Sequence, residues 1–170
     1  HYTSEKNILK VIQPLFLEEL YIEFDEVKYN SKKLEEFHKK LSKLKFLDPA
    51  CGCGNFLVTT YREIRKLELE VLKLKRKNNQ LSLLGTDELS IVNVNQFYGI
   101  EIEEFPSLVA RVAMYLVDHQ MNQLLSEEFG LYQARIPLRE PATIVNADAL
   151  TTDWESVVPK NELSYILGNP

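Results

Sequence analysis

The stretch DPACGCGNFL, residues 48–57, follows the short apolar run KFL and leads into a helix-like pattern. It holds two glycines two apart, a leading aspartate and two cysteines. Four readings compete: a metal site, a redox pair, a nucleotide cradle and a plain tight turn. Cys51 and Cys53 are the only cysteines of the chain. A disulfide between them would be strained, because bridged Cα atoms usually sit about 5.5–6 Å apart in compatible backbone geometry. Reduced thiols are the expectation. A metal needs more donors than Cys-x-Cys supplies, and His1, His38 and His119 are scattered, so no metal is expected.

The dinucleotide fingerprint G-x-G-x-x-G wants a third glycine where Leu57 stands, and the turn does not match the P-loop pattern. Gly52 and Gly54 nevertheless let the backbone pass close to a ligand with no Cβ in the way. Asp48 closes the apolar run, where a carboxylate can accept from a ligand ammonium. In open α/β sheets, ligands bind beyond the carboxyl ends of the strands, near the point where strand order reverses.

Outward from this turn the chain alternates. KFLDPA reads as a short buried strand ending at Asp48, and residues 55 to 77 as a long helix with Phe56, Leu57, Tyr61, Ile64, Leu67, Val71 and Leu74 on one side. A polar insertion spans residues 76 to 95. VNVNQFYGIEI is a second strand ending near Glu101, and EFPSLVARVAMYLVDHQMNQLL a second long helix with Pro106 near its first turn. Residues 127 to 141 connect to a third strand, ATIVNADAL, and LSYILGNP is a fourth. That order argues for an open, mostly parallel α/β sheet. Before it, residues 4 to 24 carry apolar positions at helical spacing, with Ser4 as a cap and a kink or break expected near Pro14. Residues 28 to 45 form a lysine-rich helix, with Ser31 as its cap and its lysines read as a solvated face.

The chain has 170 residues, one domain's worth, with 45% hydrophobic and 26% charged residues. No run of about 18 apolar residues is present, so no membrane span is expected. The first residues lack the order of a signal peptide and do not begin with Met, so the chain is read as an excised piece. The net charge of -5 argues against nucleic-acid affinity by this piece alone.

These residues together resemble a family. DPACGCGNFL is similar to the cofactor motif D-P-A-C-G-S-G-x-F-L of class I S-adenosylmethionine-dependent amino-methyltransferases of DNA, with Cys53 where serine is common. HYTSEKNI resembles the segment before the first strand that contacts the cofactor. FYGIEIEEFPSLVARVAM resembles the second-strand acidic motif and its helix, NADAL the third-strand motif, and GNP the opening of the catalytic N-P-P-[FY] motif. The resemblance fits best the large adenine-specific enzymes of bacterial restriction–modification systems. It implies a Rossmann-like sheet of about four parallel strands in the order three, two, one, four, behind a helical N-terminal lead. Residues 1–45 would be that lead, and 46–170 the S-adenosylmethionine-binding domain, cut at the catalytic motif.

The resemblance also assigns roles. Asp48 would face the methionine ammonium, and the backbone at Ala50, Gly52 and Gly54 would approach the cofactor. Tyr2, Thr3 and Ser4 would touch its carboxylate end, or else Thr3 or Ser4 would be a simple cap. Glu101 would accept both ribose hydroxyls, with Glu103 and Glu104 read as solvated or first-turn charges. Ile102 would pack on the adenine face, or else serve the core. Asp148, with Ala149 beside it, would accept from the adenine amine, or else form a turn. Asn169 and the Pro170 carbonyl would accept the two N–H groups of a target adenine amine, directing its lone pair at the methyl. The function implied is the cofactor-binding part of a cytoplasmic, site-specific DNA adenine-N6 methyltransferase. Its partners would be DNA and the rest of the same polypeptide, including a target-recognition domain, and this piece alone would be inactive. The rivals are an N-methyltransferase of RNA or of protein glutamine, a non-catalytic methyltransferase-fold binding module and, disfavoured by Leu57, a nicotinamide dehydrogenase.

Overall fold

The computed structural model describes residues 3–78, 89–130 and 140–169. Four strands form one parallel sheet: β1 (Phe46–Asp48), β2 (Phe97–Glu101), β3 (Thr143–Asn146) and β4 (Tyr165–Ile166), in the order β3-β2-β1-β4. The chain builds outward from β1 through β2 to β3, then returns to the other side of β1. Strand order therefore reverses between β1 and β4, and the carboxyl ends of those two strands flank the crevice where such sheets bind ligands. Phe46 pairs with Phe97 and with Tyr165, and Glu101 with Asn146.

Alternation along the strands divides the core. Phe46 and Phe97 face the helical side, whereas Leu47 and Ile100 join Val158 on the other. On the helical side, the Phe46 ring lies 5.2 Å from Phe16, 4.9 Å from Phe97 and 5.6 Å from Tyr165. Phe16 thereby carries the N-terminal helices into the core of the sheet. Those helices are α1 (Glu5–Ile12) and α2 (Glu18–Val27), joined by a π-helical turn at Gln13–Leu17. Pro14 lacks an N–H, and the helix meets that loss with the wider turn rather than a break. Ser4 holds the N-cap position with its carbonyl, which accepts from Asn7 and Ile8, and its side chain makes no cap bond.

Helix α3 (Ser31–Leu41) is capped one residue earlier than the sequence suggests: the Asn30 side chain accepts from Lys33 N at 3.0 Å. The longer helices are α4 (Asn55–Lys77) and α5 (Glu104–Phe129). Helix α4 buries Leu57, Tyr61, Ile64, Leu67 and Val71, the expected stripe.

It also buries charge, which its periodicity does not show. Arg65 and Glu68 are 2% and 1% exposed. The Arg65 guanidinium reaches Glu68 and Asp118, each at 3.1 Å, and donates to Asn122 at 2.7 Å and to the Tyr61 hydroxyl at 2.5 Å. Glu68 accepts from Ile91 N, Val92 N and Ser90 Oγ, and meets His38 Nε2 at 3.0 Å. Lys75 lies 3.1 Å from the other His38 nitrogen. Burial alone would raise the Glu68 carboxyl. The His38 bond and the Arg65 charge overcome that and hold it below its usual range. No helix of the described residues is long and apolar enough to cross a membrane.

Removing one member of a buried ion network strands the others. Arg65→Met should lower the unfolding free energy by about 3–5 kcal/mol, because Glu68 and Asp118 would stay buried without their cation. Urea unfolding followed by circular dichroism checks this, and a midpoint equal to the parent's would show that the network does not hold the helices together.

Candidate functional site

The turn after β1 is built by three constraints. The Cys51 N–H donates to Ile100 O at 3.0 Å, tying the turn to β2, and Gly54 N donates back to Cys51 O at 2.8 Å. Gly52 and Gly54 have φ of +54° and +85°, a region other residues rarely adopt. Gly54 has a second reason to be glycine: a Cβ there would sit 3.1 Å from Ala110 Cβ of α5. The third constraint is Glu101 at the end of β2. One carboxylate oxygen accepts from Gly52 N at 2.8 Å and the other from Glu103 N at 2.9 Å.

Two cavities open around this turn and share Ala50. The first, about 500 Å³, is lined by Thr3, Asp48, Ala50, Cys51, Gly52, Cys53, Asn55, Phe56, Pro106 and Asn169. The amino end of α4 opens on it through Asn55 and Phe56, an arrangement that favours an anionic group. The second, about 420 Å³, is lined by Pro49, Ala50, Glu101, Ile102, Ala147, Asp148, Ala149, Leu150 and Trp154. Ile102 and Leu150 are 63% and 95% exposed there, apolar side chains left in water at a cavity wall.

Asp48 is buried, and Oδ1 accepts from Ala50 N at 3.0 Å. Burial pushes its carboxyl up to about 7, against the pull of the Ala50 N–H and with a further push from the Glu101 charge. Gly168, with φ +144°, passes directly over it: a Cβ at residue 168 would lie 2.6 Å from Asp48 Oδ1. Asn169 follows, and its Nδ2 donates to Thr3 Oγ1 at 3.5 Å. Asp148 is both a turn former and a cavity residue. Its Oδ1 accepts from Leu150 N at 2.9 Å, and its carbonyl accepts from Thr151 N and Thr152 N.

Both cysteines are free. Burial, aided by the Asp48 and Glu101 charges, pushes the Cys51 thiol up to about 12, so it stays protonated. Its sulfur fills the space beside Gly99, where a Cβ would come within 2.8 Å. Cys53 is exposed and lines the first cavity. Among the described residues no group of three His, Cys, Asp or Glu side chains could hold a metal ion.

The fold thus brings Thr3, Asp48, Ala50, Gly52 and Asn169 to one cavity, and Glu101, Ile102, Asp148 and Ala149 to its neighbour. Gly54 lines neither and serves the junction with α4. Tyr2 and Pro170 lie outside the described residues, as do 79–88 of the insertion and 131–139 of the connector. Sequence reasoning missed Pro49, Cys51, Cys53, Asn55, Phe56, Pro106, Ala147, Leu150 and Trp154 as lining residues. Trp154 had a signal, as the single tryptophan of the chain just past the third strand. Its Nε1 donates to Ala149 O at 2.8 Å and braces that wall.

The sequence profile described as "MmeI, DNA-methyltransferase domain" matches residues 24–170. The chain belongs to this family. It is 41% identical, over its whole length, to DNA methyltransferase A of Bacillus subtilis (strain 168), of which it covers 19%. Among solved structures, the type IIL restriction-modification enzyme MmeI in complex with DNA superposes with a TM-score of 0.94 at 58% identity. That match takes in all of this chain and 23% of the MmeI chain. The chain therefore spans about a fifth of the length of these relatives. Within the MmeI-type methyltransferase family, the four-stranded order and the helical lead are those the sequence implied.

The raised Asp48 pKa sets a pH dependence. Between 3.8 and about 7 the folded chain keeps this proton while the unfolded chain has lost it. Folding stability from this group is therefore present at low pH and lost as pH rises through that window. Asp48→Asn keeps the acceptor for Ala50 N and cannot ionise. Its melting temperature, measured from pH 4 to 8, should gain on the parent's as pH rises. Parallel curves would contradict a buried, ionisable Asp48.

Proposed function

We propose that this chain is the S-adenosylmethionine-binding part of a longer, site-specific DNA adenine-N6 methyltransferase of a restriction–modification system. The observation that carries the reading is the pair of adjoining cavities, with Glu101 and Asp148 on one and Asp48 and Asn169 on the other. The residues suit the cofactor part by part. Among the described residues no cation acts on the buried Asp48 carboxylate, which a ligand ammonium would stabilise as the ionised form. The amino end of α4 suits the neighbouring carboxylate. Glu101 uses one lone pair of each oxygen on the backbone and has one on each for a ribose diol. Ile102 and Leu150 offer apolar surface to a flat base, with Asp148 to take its amine.

When bound, the cofactor would supply an electrophilic methyl group on a sulfonium. Asn169, at the end of β4 and on the same cavity as Asp48, then acts on the acceptor. An adenine amine is a poor nucleophile because its lone pair is spread into the ring. Accepting one N–H at the Asn169 oxygen and the other at the Pro170 carbonyl favours a pyramidal nitrogen aimed at the methyl. With the cofactor bound, these two acceptors would hold the amine in line while the methyl passed from sulfur to nitrogen, and the proton lost from the methylated nitrogen would go to solvent water. Alignment of this kind supplies much of the acceleration in group transfer. DNA is proposed as the substrate, rather than RNA or protein glutamine, because both relatives are DNA enzymes by name. The net charge of -5 leaves DNA affinity to the rest of the polypeptide, so this chain alone should methylate nothing.

In the full-length protein, Glu101→Ala and Asp148→Ala should each weaken S-adenosylmethionine binding by about 1–3 kcal/mol, the scale of leaving a buried polar group unpaired. Asn169→Ala should abolish transfer with a smaller change in affinity, because its bonds strengthen in the transition state. Calorimetry and single-turnover transfer of labelled methyl, followed by nucleoside analysis, test both. Methylcytosine as the product, label in RNA or protein, or an active Asn169→Ala variant would refute the reading.

Affinity should also rise with pH from about 6, as Asp48 becomes ionised without the help of the ligand, and fall again at the alkaline pH where the ligand's own ammonium loses its proton. Asp48→Asn should bind weakly with a flat profile. A pH-independent parent enzyme would remove Asp48 from the ammonium site.

A further inference from the structure

We propose that Thr3 is a positioning residue for Asn169, acting on the methyl-transfer step as well as on the cofactor end of the cleft. The inference rests on the adenine-transfer reading above. Thr3 and Asn169 line the same cavity although 166 residues apart, and Asn169 Nδ2 donates to Thr3 Oγ1 at 3.5 Å. That distance is long for a hydrogen bond. Catalytic hydrogen bonds in unliganded sites are often long and shorten once substrate is in place.

Both partners stand on fixed supports. Thr3 precedes Ser4, whose carbonyl starts α1 by accepting from Asn7 and Ile8 at 2.9 and 3.0 Å. Asn169 follows β4, where Leu167 N donates to Leu47 O at 2.9 Å and sets the height of the strand against β1. Between them, Gly168 crosses Asp48 so closely that no Cβ fits. The backbone at Asn169 is thus set by the sheet, but its side chain is exposed and has rotamers to lose. A bond from the amide nitrogen to Thr3 removes that freedom. It also leaves the amide oxygen for the target amine, the group the chemistry needs as acceptor.

A residue that touched only the cofactor would change affinity and leave the saturated rate alone. One that holds Asn169 must change the rate after both substrates are bound. The test uses full-length protein with Thr3→Val, which removes the hydroxyl at nearly constant shape, and Thr3→Ser, which keeps it. Single-turnover methyl transfer is measured with S-adenosylmethionine and DNA both saturating, and cofactor Kd by calorimetry. We expect Thr3→Val to slow saturated transfer roughly tenfold or more, the scale of small misplacements at a reacting centre. Its Kd should change by a smaller factor, and Thr3→Ser should recover most of the rate. A saturated rate in Thr3→Val equal to the parent's overturns the inference while the adenine reading stands. So does an equal loss in both variants. A parent protein that transfers no methyl to adenine overturns the adenine reading and this inference with it.

Discussion

One contact organises the site: the Glu101 carboxylate accepting the Gly52 N–H at 2.8 Å. It joins the end of β2 to the turn after β1, so the two cavities meet at a wall of known shape. Its other oxygen takes Glu103 N and thereby sets the entry to α5. Glycine at 52 is demanded by a positive φ, and its N–H is available because the turn presents it outward to a carboxylate. Without that acceptor, a polar N–H on a cavity wall would lose its partner, and the turn would be tied to β2 through the Cys51 N–H to Ile100 bond without this second link.

The architecture was legible because its signals are local or repetitive. KFLDPA, the apolar stripe of residues 55 to 77 and the alternation of strand and helix each point to one structure, and α4 has the bounds its pattern suggests. Asp48, Glu101, Asp148 and Asn169 could be singled out because each ends a strand or begins its exit. The opposite holds for the buried charges. Periodicity marks Arg65 and Glu68 as polar positions on a long helix. It cannot say that their partners wait at Asp118, Asn122, His38 and Ser90, on other elements. His38 in particular reads as a stray histidine until α3 is laid against α4.

Other differences come from near-equivalent choices. Asn30 and Ser31 both make good caps, and the backbone takes the first. Pro14 announces a disturbance in a helix, but only packing decides between a break and a wider turn. Here Ile12 and Phe16 are both fully buried across it, and a break would have turned one of them outward. Gly99 and Gly168 carried no signal as single glycines. Their meaning lies in the atoms opposite, the Cys51 sulfur and the Asp48 carboxylate.

Glu68 also sets where the chain re-enters the fold after α4. It takes N–H groups from Ile91 and Val92 while sitting on α4, the helix that ends at Lys77. Both flanks of the stretch between Asn78 and Leu89 are therefore anchored by one buried carboxylate, whatever lies between them. Adding or removing residues there leaves the anchor points where they are. Strand β2 and its Glu101 are thereby held to α4 independently of that stretch.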